Sequence, residues 1–118
     1  MEFVEEVCVL GEKEGLNRIR FADTLGIMDP VSMLETITRL RNRLGIDIGV
    51  HTHNDFGMAT ANAISALAAG ADFADVTVNG LGERAGNAVL EEVVGFLAKR
   101  KGADKYNLKR LRPLSEYV

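Results

Sequence analysis

Apolar residues recur along this chain with two different periods, and the change of period marks its elements. Over residues 18–24, Ile19 and Phe21 alternate with Arg20, Ala22 and Thr24, the period of two expected of a strand. Asp29-Pro30 then reads as an N-cap followed by proline at the first helical position. Val31, Leu34, Ile37, Leu40 and Leu44 follow at spacings of three and four, which predicts an amphipathic helix ending near Gly45. A second strand is expected over 46–51. It places Ile46, Ile48 and Val50 on one face, and Asp47, Gly49, His51 and, just beyond, His53 on the other. An alanine-rich helix over about 57–69 closes at Gly70, and a third strand is expected over 73–78. A glycine-rich loop over 79–87 leads to a third helix. Its first turn carries Glu91 and Glu92, its last Lys99, Arg100 and Lys101, and Gly102 ends it, in agreement with the helix macrodipole. Residues 3–15 read as the tail of an earlier helix.

Strands alternating with helices imply right-handed βα crossovers and a parallel sheet, so the fold class is α/β. Three βα units could form a small open sheet or the last three units of a (β/α)8 TIM barrel, which needs about 250 residues in full. The second strand favours the barrel: its large apolar residues suit packing on helices, while small and polar ones line the other face. On that reading residues 1–102 are a partial TIM-barrel catalytic domain and 103–118 begin a C-terminal extension, with His51 and His53 pointing into the mouth.

Composition narrows the partners. At 118 residues the chain suits one small domain with a modest core. A net charge of -3 and a pI near 5.4 give no reason to expect nucleic acid. No apolar run approaches the roughly 20 residues that span a bilayer, so no membrane partner is expected. Cys8 is the single cysteine, which rules out an intrachain disulfide and suits a reducing, cytoplasmic setting.

Four features carry candidate chemistry. His51 and His53 sit two apart at a strand end, so both imidazoles lie on one side within reach of one metal ion. The bland alternative is a pair of solvated or hydrogen-bonded histidines, but active sites of parallel sheets collect at this end of the strands. Asn54 and Asp55 either N-cap the next helix or orient the histidines. In the loop Asn79-Gly80-Leu81-Gly82-Glu83-Arg84-Ala85-Gly86-Asn87, the glycines allow tight turns or a close approach to a ligand, and the following helix N-terminus favours anions. Glu83 and Arg84 read first as a structural ion pair. Asn87 is either the helix N-cap or a carbonyl-oxygen donor to the same metal. Thr24 shares the inward parity of Ala22, so its hydroxyl either meets a substrate carboxylate or bonds its own turn. The basic run from Lys99 reads as a solvated helix end rather than a phosphate site.

Taken in order, Phe21-Ala22-Asp23-Thr24-Leu25-Gly26, His51-Thr52-His53-Asn54-Asp55 and the 79–87 loop resemble the carboxyl-terminal part of the catalytic barrel of the homocitrate and isopropylmalate synthases. These belong to the metallolyases that also include 3-hydroxy-3-methylglutaryl-CoA lyase. The resemblance runs from about residue 3 to the end, and the segment from Asn54 to Ala63 is most similar to homocitrate synthases of the nitrogen-fixation type. It implies a divalent ion (Mg, Mn, Zn or similar) on His51, His53 and Asn87, and a 2-oxo acid carboxylate on Thr24. It further implies condensation of acetyl-CoA with that acid, 2-oxoglutarate giving homocitrate in the first instance, with isopropylmalate or citramalate chemistry as alternatives. The family's acidic ligand and its candidate general base lie on strands with no counterpart here. The expectation is therefore a chain inactive by itself that needs the amino-terminal half of the barrel or self-association. A non-catalytic half-barrel remnant is the alternative from another class, and a retro-aldol lyase a third.

Overall fold

The computed structural model describes residues 2–102 and 105–118. Helix α1 (Glu2–Lys13) precedes strand β1 (Arg18–Asp23), helix α2 (Pro30–Arg43), strand β2 (Asp47–Thr52), helix α3 (Ala59–Ala68) and strand β3 (Phe73–Ala74). Helix α4 (Leu90–Lys101) and helix α5 (Leu111–Tyr117) complete the order. The strands form one parallel sheet in the order β1-β2-β3, with Ile19 opposite Ile48, Ala22 opposite His51 and Gly49 opposite Phe73.

The two faces of β2 differ as its alternation predicts. Ile48 and Val50 are buried against Met33, Ile37 and Leu40 of α2, with Ile19 and Phe21 of β1 packed at the margin. The opposite face has no bulk at its centre: a Cβ on Gly49 would overlap the Phe73 ring, so only glycine lets that ring lie across the strand. The Arg18 guanidinium covers the same ring at 4.5 Å from its centroid.

Local chemistry sets the helix starts. Asp29 Oδ1 accepts from the N–H groups of Val31 (2.9 Å) and Ser32 (3.1 Å), and Pro30 occupies the first helical position, as the sequence predicts. Asp23, buried at the end of β1, accepts from the N–H groups of Ile27 and Met28 and so shapes the turn that leads there. Helix α1 docks through charge as well as apolar contact. The buried Glu5 carboxylate lies 2.7 Å from Arg39 and 3.1 Å from Arg43, both on α2, and loss of either cation leaves a buried charge less compensated.

One element departs from the sequence reading. The third strand spans Phe73–Ala74 and not 73–78. Beyond Asp75, whose N–H donates to Val50 O at 2.9 Å, the backbone leaves β2 and turns to its own loop. Thr77 N–H donates to Ala88 O, Leu90 N–H donates to Thr77 O, and Val78–Gly80 form a 3-10 turn with Asn79 at φ 57°. The apolar alternation of 73–78 is thus spent on α3 and α4 rather than on a ladder: Ala74 and Val76 pack against Ala59, Ala63 and Val93.

The boundary expected at 102/103 falls beside residues 103 and 104, which lie outside the described residues. The segment beyond folds back: α5 reaches the turn after β3, where Asn79 Nδ2 donates to Ser115 O at 2.9 Å and Ser115 Oγ bonds Asn79 Oδ1. Among the described residues no helix is long and apolar enough to cross a membrane.

The α2–β2 contact makes a direct prediction. Ile37→Ala, at a fully buried position, is expected to cost about 2–5 kcal/mol in urea unfolding. Val31→Ala, 66 % exposed on the same helix, is expected to stay within about 0.5 kcal/mol.

Candidate metal centre

His51 lies within β2 and His53 just beyond it, where the backbone stops pairing with β1 and pairs instead with the incoming loop. His53 forms an isolated antiparallel bridge with Asn87, and Asn54 N–H donates to Gly86 O at 2.9 Å. The two rings meet edge to face at 77°, with His51 Nε2 and His53 Nε2 3.2 Å apart. Two imidazole nitrogens each about 2.1 Å from one ion, at an angle of roughly 100°, lie about 3.2 Å apart, so the spacing fits a shared cation. His53 is buried and its Nδ1 has no hydrogen-bond partner. His51 Nδ1 faces the Asp75 carboxylate at 3.1 Å, and Arg20 Nε reaches the same oxygen at 3.1 Å.

Asn87 comes to the same place. Its Nδ2 lies 3.4 Å from His51 Nε2 and donates to Thr52 O at 3.2 Å, while Oδ1 lies against Gly82, where any Cβ would overlap it. In this rotamer the amide presents nitrogen to the histidines. Carbonyl-oxygen ligation requires the amide to turn over and give up its bond to Thr52 O. Among the described residues no three His, Cys, Asp or Glu side chains form a ligand set. Asp75, which meets His51 Nδ1, is engaged on the far side of that ring. The candidate donors are therefore two imidazoles and, only if it turns over, one amide oxygen, types that suit a divalent ion in kind.

The surrounding loops are tied by one side chain. Arg84 forms a forked pair with Asp55, Nε to Oδ1 and Nη2 to Oδ2, both at 2.9 Å, and Nη2 also donates to Thr24 O at 2.8 Å. It thereby joins the loops after β1, β2 and β3, and it holds the Asp55 carboxyl below the usual carboxylate range. Gly26 makes room for Asp55, since a Cβ there would meet the carboxylate.

Three sequence expectations are corrected here. Arg84 pairs with Asp55 and not with Glu83, because Arg84 at φ 56° turns its side chain back across the mouth. Among the described residues Glu83 is exposed and makes no ion pair. Asn87 is not the N-cap of α4. Val89 holds that position, and its N–H donates to Thr60 Oγ1 at 3.1 Å. The N-cap position of α3 belongs to Met58, and Asp55 does not cap it. Asn54 serves that helix from a distance, its Oδ1 accepting from Ala59 N–H at 3.1 Å. Asn79 caps outward, its N–H donating to the Glu91 carboxylate. Gly80, at φ +67°, accepts from Asn87 N–H at 3.0 Å. Gly86, at φ +94° and pressed on Gly80 O, can only be glycine. Thr24 lies exposed in the turn after β1, anchored through its carbonyl.

Sequence reasoning did not single out Arg20 and Asp75. Their signal was present: Arg20 alternates onto the His51 face of β1, and Asp75 stands two residues after Phe73 on the same face.

A family model described as HMGL-like matches residues 1–118. The chain belongs to this family. Among its relatives, 2-isopropylmalate synthase 2 of Caldanaerobacter subterraneus subsp. tengcongensis is 49 % identical over 100 % of this chain and 31 % of its own length. Homocitrate synthase 1 of Nostoc sp. is 46 % identical over 98 % of the chain and 31 % of its own. Homocitrate synthase subunit alpha of Clostridium pasteurianum is 43 % identical over 90 % of the chain and 39 % of its own. This HMGL-like chain thus spans about a third of the length of the curated relatives it matches. Among solved structures, the carboxyl transferase domain of Rhizobium etli pyruvate carboxylase with oxalate superposes with a TM-score of 0.88 at 26 % identity. That match covers 98 % of this chain and 20 % of that one. The parallel sheet is accordingly an arc of the HMGL-like TIM barrel.

The Asp55–Arg84 pair sets a pH dependence. Its carboxyl is depressed in the folded chain by the Arg84 hydrogen bonds and charge. The stabilisation is therefore present above the ordinary aspartate pKa of about 3.9 and is lost as pH falls through the lower, folded value. A carbon-detected NMR titration is expected to place the Asp55 midpoint below that of an exposed aspartate, and in Arg84→Met to return it to the ordinary range.

Proposed function

We propose that this chain provides the metal-binding and carboxylate-binding part of an acyltransferase that condenses acetyl-CoA with a 2-oxo acid. The observation that carries the proposal is the 3.2 Å approach of His51 Nε2 and His53 Nε2, beside Asn87 and at the carboxyl end of parallel strands, where such sheets place their active sites. The names of the HMGL-like relatives supply the reaction class. A divalent ion held on these donors would supply Lewis-acid polarisation of the keto carbonyl.

The remaining work falls to the chain's own groups. His51 and His53 would hold the ion, and the Asn87 amide oxygen would join them if that side chain turned over. Thr24 offers its hydroxyl to the substrate carboxylate from a turn whose backbone Arg84 grips. Asp55 keeps Arg84 in that grip, and Asn54, Asn79 and the loop glycines hold the backbone that presents Asn87. The proton of the acetyl-CoA methyl group must pass to a base before the new carbon–carbon bond forms to the keto carbon. Both histidines would be taken up as ligands, so neither is that base; the family resemblance puts the base and the acidic ligand on strands with no counterpart here. Water then cleaves the thioester and releases CoA.

The partner is therefore the amino-terminal part of the barrel, as a companion chain or as part of one longer chain. The subunit name of the Clostridium pasteurianum relative supports the first arrangement. Relatives named for isopropylmalate, homocitrate and citramalate match at 43–52 % identity, so similarity alone does not choose the acid. We place 2-oxoglutarate first on the resemblance of residues 54–63.

Mixing the chain with the amino-terminal part of a homocitrate synthase and following thiol release from acetyl-CoA tests this. Release is expected with Mn2+ and 2-oxoglutarate in the mixture and not with the chain alone. His51→Ala or His53→Ala should lower it more than about a hundredfold, the worth of several kcal/mol of transition-state stabilisation. No release with 2-oxoglutarate, 2-oxoisovalerate or pyruvate would sink the enzymatic reading in favour of a non-catalytic remnant.

A further inference from the structure

Arg20, His51 and Asp75 come from three neighbouring strands or their ends, and they meet on the face that carries no apolar core. Asp75 Oδ2 is shared: Arg20 Nε lies 3.1 Å from it and His51 Nδ1 lies 3.1 Å from it. An ionised carboxylate only accepts, so the contact with the ring requires the proton on Nδ1. Neutral His51 then carries a bare lone pair on Nε2. That atom lies 3.2 Å from His53 Nε2, which must donate to it, because two bare nitrogens at this distance would repel. His53 Nδ1 is then the bare atom, in agreement with its burial without any partner: an unpaired acceptor is left there and not an unpaired N–H.

We infer that Asp75, held by Arg20, is a positioning residue that selects the Nδ1–H tautomer of His51 and aims its Nε2 lone pair at the ion site. His53 is the yielding member of the pair. Its ring proton must move from Nε2 to Nδ1 before that nitrogen can bind an ion, so the ring stays neutral and no net proton is released. This rests on reading the two histidines as ligands, but the tautomer assignment stands on the metal-free chain and can fail separately. A carboxylate behind a ligating imidazole fixes both its tautomer and its orientation, and loss of such a partner commonly weakens metal affinity about ten- to a hundredfold. The Arg20 guanidinium reaches the shared oxygen while its own side chain stays 57 % exposed, so it holds the carboxylate in place without filling the site.

Long-range proton–nitrogen NMR of the 15N-labelled chain tests this without metal, at a pH of about 8, above ordinary histidine titration. His51 is expected as the Nδ1–H form and His53 as the Nε2–H form. Asp75→Ala should move His51 to the Nε2–H form, and Asp75→Glu should restore Nδ1–H. If Asp75→Ala fails to fold, Arg20→Gln replaces it and should raise the Nε2–H fraction of His51. A parent chain with His51 in the Nε2–H form, or an Asp75→Ala chain with His51 unchanged, overturns the inference. Competition for Zn2+ with a fluorescent indicator provides the second readout, with Asp75→Ala expected to bind about ten- to a hundredfold more weakly. A parent that shows the Nδ1–H form but binds no Zn2+ counts against the ligand reading and leaves the tautomer role of Asp75 in place.

Discussion

The mouth of this structure hangs from the parity of β2. A strand offers its side chains alternately to two faces, and here one face is filled by Ile48 and Val50 against α2. A slip of one residue would send His51 into that core and an isoleucine into the mouth, so burial on one side fixes the chemistry on the other. The close approach of Phe73 to Gly49 reinforces the register, because no other residue leaves room for the ring.

Parity places the histidines, but it does not hold the loops around them. That task falls to polar contacts of high sequence separation. Arg84 reaches Asp55 and the Thr24 carbonyl across 29 and 60 positions, and His53 bridges Asn87. Asn79 ties the same loop to α4 through Glu91 and to α5 through Ser115. Each bond alone is modest where water competes. Their value lies in fixing these segments relative to one another, which is what a site assembled from loops requires.

The arc of barrel is also visibly open. Among the described residues β1 and β3 each pair on one side only, and Phe3, Val7 and Leu10 line an exposed stripe on α1. Open strand edges and apolar helix faces invite further pairing. The proposed metal centre is open in the same sense, with only two imidazoles and an amide brought together. The proposed companion segment would close both, adding strands at the edges and donors at the site.

The periodic elements and the candidate ligands were legible in the residues themselves. Asp29-Pro30 announced a helix start, the alternation over 46–51 announced a strand with both histidines on one side, and the motifs announced the family. Local rules decide such features, since capping, proline geometry and period-two alternation act over a few residues. What remained hidden depends on partners distant in the chain. The length of β3 is set by where the backbone exchanges Val50 for Ala88 as its hydrogen-bond partner. The partner of Arg84 is set by a positive φ and by a carboxylate on another loop. The proton on His51 is set by Asp75, brought beside it only when β3 docks. Sequence by itself determined the kind of fold and the residue types at its mouth. Tertiary structure alone decided their pairing, because hydrogen-bond and ion-pair partners are chosen by distances that no local period encodes.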